Sequence, residues 1–174
     1  MKKKMLLAAT LLCSLAAGSL LAGELKVGDA APLFESKDQD GKSFNLKAQN
    51  GRWTVLYFYP KAETPGCTKQ ACAFRDSMTK MQEEKIDVFG ISSDSVEEVK
   101  KFQEKHHLNF KLLADPDRKI ISLYGTQMPI IHYAKRWTFI IDPELKIQFI
   151  DKDVNAEKDS TNVLKKILEL KAIK

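Results

Sequence analysis

The chain has 174 residues, of which 44% are hydrophobic and 29% are charged, and its formal net charge is +5. This length is typical of a single domain with a sizeable core. The composition excludes a disordered tail protein, a collagen-like chain and a small scaffold built on many disulfides.

The N-terminal segment has the pattern of a secretory signal peptide. Lysines at 2–4 precede an apolar run at 5–22, and Gly23 and Glu24 follow. A basic start, an apolar centre and small residues before the first acid predict cleavage after Ala22 and export, most simply to the periplasm. The run has 18 residues, so an uncleaved segment that anchors the protein in a membrane is the alternative.

Cleavage there would leave a mature domain of residues 23–174, with no stable insertion in the membrane. It lowers the formal charge from +5 to +2, because three lysines and no acid leave with the signal. We therefore expect no nucleic-acid partner. Cys13 would leave as well, and it is a poor lipidation site because leucines precede it. Cys67 and Cys72 are then the cysteines of the mature chain.

The mature chain alternates the patterns of strands and helices. Asp40-Gly41, with alternating residues on both sides, predicts a hairpin, and the apolar, β-branched and aromatic segment 53–59 predicts a strand buried on both faces. Pro60 ends that strand. The later segments predict a helix at 67–82, a strand at 86–91, a helix at 95–106, a strand at 111–114, a helix at 118–124, a hairpin of 137–141 with 146–150, and a helix at 157–170.

This order favours an α/β fold in which helices cover a central mixed β-sheet. Ser95, three residues before Glu98, has the spacing of a capping box and predicts where the second helix begins. A thioredoxin-like three-layer fold fits the order of elements. Periodicity alone would also allow other three-layer α/β folds.

Cys67 follows a loop that contains Pro and Gly, and it lies in the first turn of the predicted helix. An ordinary thiol has a pKa of about 8.5, so only ~3% of it is thiolate at neutral pH. The unpaired N–H groups at a helix start favour the anion, which is the form that attacks electrophiles. Thr64, three residues earlier, is near enough to donate its hydroxyl hydrogen to the sulfur or to a bound oxygen.

Cys72 lies five positions beyond Cys67. On an intact helix this spacing separates the two Cα atoms by about 8.6 Å. A disulfide needs about 4.4–6.8 Å, so the bond requires that the helix unwinds locally or never forms. A redox-active pair is favoured over a permanent disulfide, which would close only a short loop. A metal site is less favoured, because no histidine lies nearby.

The segment also resembles a known family. Pro60-Lys-Ala-Glu-Thr64-Pro-Gly-Cys67 is similar to the Pro-x-x-x-Thr-x-x-Cys motif of peroxiredoxins. The continuation to Asp76 resembles the peroxiredoxin Q subgroup, also called bacterioferritin comigratory protein, and the resemblance spans about 25–170. Gln70 stands where this subgroup commonly has Glu, and we expect it to touch no reacting atom.

The resemblance implies a thioredoxin fold and reduction of hydrogen peroxide and organic hydroperoxides by a thiol. It makes Cys67 the peroxidatic cysteine and Cys72 the resolving one, joined as an intramolecular disulfide that an external dithiol, thioredoxin-like or other, reduces. Thr64 and Arg136 would help to bind peroxide, and Pro60 would shield the thiolate. It also implies a monomer. We expect neither a metal nor an organic cofactor.

Each of these residues also has an ordinary structural role. Arg136 could be a surface charge at a strand start, Thr64 a helix cap, and Pro60 the end of a strand. The alternative function is an exported thioredoxin-like thiol-disulfide oxidoreductase that acts on protein disulfides. Its usual signature is Cys-x-x-Cys with a cis-proline loop, whereas here four residues separate the cysteines and Pro129 is no obvious match. A redox-inert binding domain is a third interpretation.

Overall fold

The structure, a computed structural model, describes residues 24–173. The predicted signal segment and Cys13 lie outside the described residues, so the cleavage site and the export remain predictions. Within residues 24–173, none of the helices combines the length and the apolar character needed to span a bilayer.

The described part of the chain, residues 24–173, contains seven strands and four α-helices. The strands are β1 (Glu35–Asp38), β2 (Ser43–Asn45), β3 (Trp53–Phe58), β4 (Ile86–Ser92), β5 (Lys111–Ala114), β6 (Trp137–Ile141) and β7 (Ile147–Asp151). The helices are α1 (Pro65–Glu83), α2 (Val96–Lys105), α3 (Lys119–Leu123) and α4 (Asp159–Ile173). One short 3-10 helix, Leu46–Gln49, follows β2 and was not predicted.

The seven strands form one sheet in the order β2-β1-β5-β4-β3-β6-β7. The central pairs β3–β4 and β4–β5 are parallel, and the outer pairs are antiparallel. The predicted hairpins are confirmed: β1 pairs with β2 around Gly41, and β6 pairs with β7. The mixed sheet expected from the order of elements is therefore present.

The sequence of β3 explains how the sheet separates two cores. Every residue of this strand is buried, and its side chains alternate between the faces. Val55 and Tyr57 belong to the core that also contains residues of α1, α2 and α4, whereas Leu56 and Phe58 belong to the core beneath α3. Helices thus cover both faces of the sheet, as the three-layer prediction requires.

The starts of two helices differ from the prediction by two residues each. α1 begins at Pro65, two residues early, because proline lacks the N–H that would be unpaired at the first helical position. α4 begins at Asp159 rather than at 157, because the Asn155 side chain accepts hydrogen bonds from the backbone of Glu157 and Lys158 and forms a turn first. The predicted capping box of Ser95 makes both of its hydrogen bonds.

Candidate active site

Cys67 lies at the end of the sheet, just beyond the central strand β3. β3 runs into a loop at 59–64, and α1 then begins, which places Cys67 at the third helical position with 1% of its surface exposed. The first hydrogen bond of the helix runs from the backbone N–H of Thr68 to the Thr64 carbonyl. The N–H groups of Gly66 and Cys67 precede it and have no acceptor within the helix. They present partial positive charge beside the sulfur.

A buried carboxylate, that of Asp94, holds the loop before the helix. Asp94 is 3% exposed and accepts hydrogen bonds from the Ala62 backbone N–H at 2.7 Å and from the Ser92 hydroxyl at 2.8 Å. Its other oxygen contacts the Lys61 ammonium at 3.2 Å. Asp94 lies just beyond β4, so the neighbouring parallel strand fixes the loop. Sequence reasoning did not single out this residue.

Arg136 contacts the sulfur of Cys67 at the end of the sheet. β6 pairs antiparallel with β3, and the pairing of Phe58 with Trp137 places Arg136 beside the end of β3. Its Nη2 lies 3.4 Å from the Cys67 sulfur, and its Nη1 donates to Gln70 Oε1 at 2.6 Å. A half-buried guanidinium in this position stabilises an anion on the sulfur. The ordinary role considered for Arg136, a surface charge, therefore does not describe it.

Thr64 and Pro60 border the same loop. Thr64 occupies the N-cap position, but its side chain makes no capping hydrogen bond to the first turn. Its hydroxyl instead donates to the Lys61 carbonyl at 2.9 Å, so its hydrogen is engaged and its lone pairs remain as acceptors. Pro60 is half-buried two residues beyond β3. Their predicted roles toward peroxide remain predictions.

Cys72 is half-buried on the same helix, and both cysteines are free thiols. Because α1 is continuous from Pro65 to Glu83, helical geometry keeps the two Cα atoms about 8.6 Å apart. A disulfide cannot form at that separation. The structure thus describes a reduced state in which Cys67 contacts Arg136 and Cys72 is out of bonding reach.

Gln70 is more closely involved than the sequence predicted. It is fully buried on α1 and connects Arg136 to Asp159, the first residue of α4. Its Nε2 donates to Asp159 Oδ2 at 2.6 Å, and the Thr138 hydroxyl donates to the same oxygen at 2.9 Å. Gln70 does not donate to the sulfur itself, but it holds the guanidinium that does. Only the folding of α1, β6 and α4 together brings these side chains into contact.

The environment of Asp159 changes its ionisation. Burial raises the pKa of Asp159 to about 6, and the nearby Asp151 carboxylate adds to the rise. The hydrogen bonds from Gln70 and Thr138 and the charge of Arg136 act in the opposite direction. Desolvation exceeds these contributions because Asp159 is 1% exposed.

Gly66 makes room for the guanidinium. A Cβ atom at this position would lie 3.1 Å from Arg136 Nη2, which is closer than carbon normally approaches nitrogen. The absence of a side chain lets Arg136 reach across the start of the helix to the sulfur. Within residues 24–173, no group of three or more His, Cys, Asp or Glu side chains could hold a metal ion. What the geometry offers is a nucleophilic sulfur beside a fixed cation.

The chain is similar to proteins of a known family. Residues 27–150 match the model of the AhpC/TSA family. The chain is 40% identical over 146 residues to peroxiredoxin Bcp of Escherichia coli strain K12, a match that covers 80% of this chain and 94% of the relative. It is 41% identical over 132 residues to chloroplastic peroxiredoxin Q of Oryza sativa subsp. japonica, which covers 75% of this chain and 61% of the plant protein.

A solved structure confirms the thioredoxin-like fold. The crystal structure of peroxidoxin BcpB from Mycobacterium tuberculosis superimposes with a TM-score of 0.78 at 32% identity, over 86% of this chain and 99% of that one. The match supports a thiol peroxidase and does not favour the alternative, an oxidoreductase acting on protein disulfides. The chain therefore belongs to the AhpC/TSA family, among the peroxiredoxins of the Bcp and peroxiredoxin Q type.

Proposed function

We propose that the protein is an exported peroxiredoxin of the atypical two-cysteine type, which reduces hydrogen peroxide and organic hydroperoxides with Cys67. The observation that carries this proposal is the contact of 3.4 Å between Arg136 Nη2 and the Cys67 sulfur at the start of α1. The comparisons support the class of enzyme. The roles of single residues, the resolving step and the location rest on the arguments below.

In the first step the Cys67 thiolate attacks one oxygen of the peroxide. An S–O bond forms and the O–O bond breaks, and the other oxygen leaves with the electron pair and takes up a proton as water or an alcohol. Arg136 and the unpaired N–H groups of the first turn stabilise the thiolate and the negative charge on the leaving oxygen. Thr64 can donate to the peroxide once its hydroxyl turns away from the Lys61 carbonyl. Pro60 shields the sulfur from water.

In the second step Cys72 resolves the Cys67 sulfenic acid. The Cys72 sulfur attacks the oxidised sulfur, so that the S–S bond forms, the S–O bond breaks and water leaves. The first turns of α1 must unwind for this, since the two Cα atoms are about 8.6 Å apart on an intact helix. Unwinding breaks the contacts of Gln70 with Arg136 and Asp159.

An external dithiol completes the cycle by exchange with the Cys67–Cys72 disulfide. A thioredoxin-like protein of the same compartment is the simplest donor. The domain works without a metal or organic cofactor, because the two sulfurs carry all the electrons that the reaction needs. We further propose that it acts as a monomer, which light scattering of the reduced and the oxidised protein would test.

Peroxide titration of the reduced mature protein tests the function. We expect rapid loss of two thiols for each equivalent of hydrogen peroxide and no reaction in Cys67→Ser. Slow thiol loss together with reduction of insulin disulfides would instead support the alternative, an exported thiol-disulfide oxidoreductase. Inertness toward both substrates would leave a redox-inert binding domain.

The role of Cys72 has its own test. Cys72→Ser should complete one turnover, stop in donor-driven cycling, and accumulate sulfinic acid on Cys67 at high peroxide, because no thiol condenses with the sulfenic acid. Mass spectrometry after one and after many equivalents measures both outcomes. Equal multi-turnover activity in Cys67→Ser and Cys72→Ser would contradict the assigned roles.

Export is supported by the lysines at 2–4 and the apolar run at 5–22. The intact mass of protein recovered from the cell envelope tests it, and we expect a mature chain that begins at Gly23 and lies in the periplasm. A full-length chain in the membrane fraction would support the alternative, an uncleaved anchor.

A further inference from the structure

A continuous series of hydrogen bonds links the start of α4 to the reactive sulfur. Asp159 accepts from Gln70 at 2.6 Å, Gln70 accepts from Arg136 at 2.6 Å, and Arg136 contacts the Cys67 sulfur at 3.4 Å. Gln70 and Asp159 are 0% and 1% exposed, so water does not replace these partners. The inference below rests on the proposed peroxidase function of Cys67.

The chemistry of the Gln70 amide explains why Asp159, at the far end of this series from the sulfur, affects the position of Arg136. A glutamine side chain has one donating end and one accepting end. Arg136 can only donate, so it requires that the oxygen of Gln70 faces it. The carboxylate of Asp159 accepts, so it requires that the NH₂ group faces α4. Asp159 therefore selects the one amide orientation in which Gln70 can hold the guanidinium.

The buried carboxylate has no evident benefit for stability. Asp159 Oδ1 has no hydrogen-bond partner within residues 24–173, and leaving a buried polar atom unpaired is unfavourable. A buried charge is more easily explained by a requirement for specific geometry than by stability. We propose that Asp159 is a positioning residue for the peroxide step, because it orients Gln70 so that Arg136 stays against the Cys67 sulfur.

The test measures the rate of Cys67 oxidation by hydrogen peroxide in a Cys72→Ser background, where only the first step occurs. Asp159→Leu removes the acceptor, so Gln70 can turn and release Arg136. We expect the rate to fall at least about tenfold, as for loss of a charge-assisted hydrogen bond. Alkylation of Cys67 by iodoacetamide at pH 7 should slow as well, because the thiolate loses its cation. An unchanged rate in folded Asp159→Leu overturns the proposal.

Two further variants separate orientation from packing and from charge. Ser160→Ala is the matched control, because Ser160 accepts from Ser77 at 3.0 Å in the same α1–α4 contact but has no link to Arg136. It should react at the rate of the parent, and a loss equal to that of Asp159→Leu would show that only packing matters.

Asp159→Asn keeps an acceptor oxygen for Gln70 and should retain the rate within about threefold. Because Asn is nearly isosteric, this variant tests the proposal even if Asp159→Leu does not fold, and a tenfold loss in it overturns the orientation argument.

A substitution at position 70 gives the most specific outcome. A glutamate has two accepting oxygens, so Gln70→Glu can hold Arg136 in either orientation and no longer needs Asp159. In the Gln70→Glu background, Asp159→Leu should leave the rate of Cys67 oxidation unchanged. In the background that keeps Gln70, the same substitution lowers this rate. Equal losses in both backgrounds would refute the mechanism. The Cys72→Ser protein without further substitutions distinguishes the two proposals. If it is inert to peroxide, the proposed peroxidase function is refuted, while the alkylation rates of Cys67 still test the positioning of Arg136.

Discussion

The ionisation of Asp159 predicts how the stability of the protein depends on pH. In the native state burial raises the pKa of Asp159 to about 6, whereas in the unfolded chain it returns to its ordinary 3.8. Between these values the native state holds a proton that the unfolded state has lost. The contribution of this group to the free energy of unfolding is therefore full below pH 3.8 and declines as the pH rises to about 6.

The size of the effect follows from the same two values. Each unit of pKa difference corresponds to about 1.4 kcal/mol, so the contribution should decline by about 3 kcal/mol across this range. Solvent screens this carboxyl group little, because Asp159 is 1% exposed. The groups that influence it most are Gln70, Thr138, Asp151 and Arg136.

Urea unfolding of the reduced protein and of Asp159→Asn, at pH values from 3.5 to 7, measures the effect. Asn does not titrate, and the other carboxylates contribute to both proteins, so the difference between the two free energies isolates Asp159. We expect this difference to shift by about 3 kcal/mol against the parent as the pH rises. A difference that is constant with pH, or that shifts in favour of the parent, would refute the view that desolvation dominates at this site.

Three other predictions concern the remaining contacts. Arg136→Lys replaces the two nitrogens that contact the sulfur and Gln70 separately with a single ammonium, and stopped-flow oxidation of Cys67 should slow by about 10–100-fold, with normal folding by circular dichroism. Gly66→Ala brings a Cβ atom within 3.1 Å of Arg136 Nη2. The same assay should therefore show slower oxidation of Cys67, although the melting temperature does not fall. A rate equal to that of the parent would mean that Arg136 can move aside without losing its contact with the sulfur. Ser95→Ala removes the cap of α2 and should lower the free energy of unfolding by about 1 kcal/mol while peroxide reactivity is retained, and a loss of reactivity would link α2 to the site.

Much of the fold could be predicted because its signals are local. The continuous apolar, β-branched and aromatic run of β3, the turn at Gly41 and the capping box of Ser95 each depend on neighbours within a few residues, and each prediction agrees with the structure. Boundaries were less accurate where a side chain competes with the helix. Asn155 delays the start of α4 by accepting backbone hydrogen bonds that a helix would otherwise organise.

The residues of the candidate site likewise divide into those that local sequence predicts and those that only the fold brings together. Thr64, Cys67 and Cys72 share one segment, so their spacing predicts a thiol at a helix start and a partner that an intact helix holds out of reach. Arg136 was identified only through a family resemblance, because 69 residues separate it from the sulfur that it contacts. The register of β6 on β3 brings the two together.

The sequence by itself determined the alternation of strands and helices, the position of Cys67 in a first helical turn, and the spacing that requires unwinding before the disulfide can form. These depend on the periodicity and covalent geometry of a continuous segment. Tertiary structure alone decided that Gln70 would bridge Arg136 and Asp159, 89 residues away from Gln70 along the chain. Hydrogen bonds between distant segments exist only after α1, β6 and α4 pack together, because packing excludes the water that would otherwise satisfy the same groups.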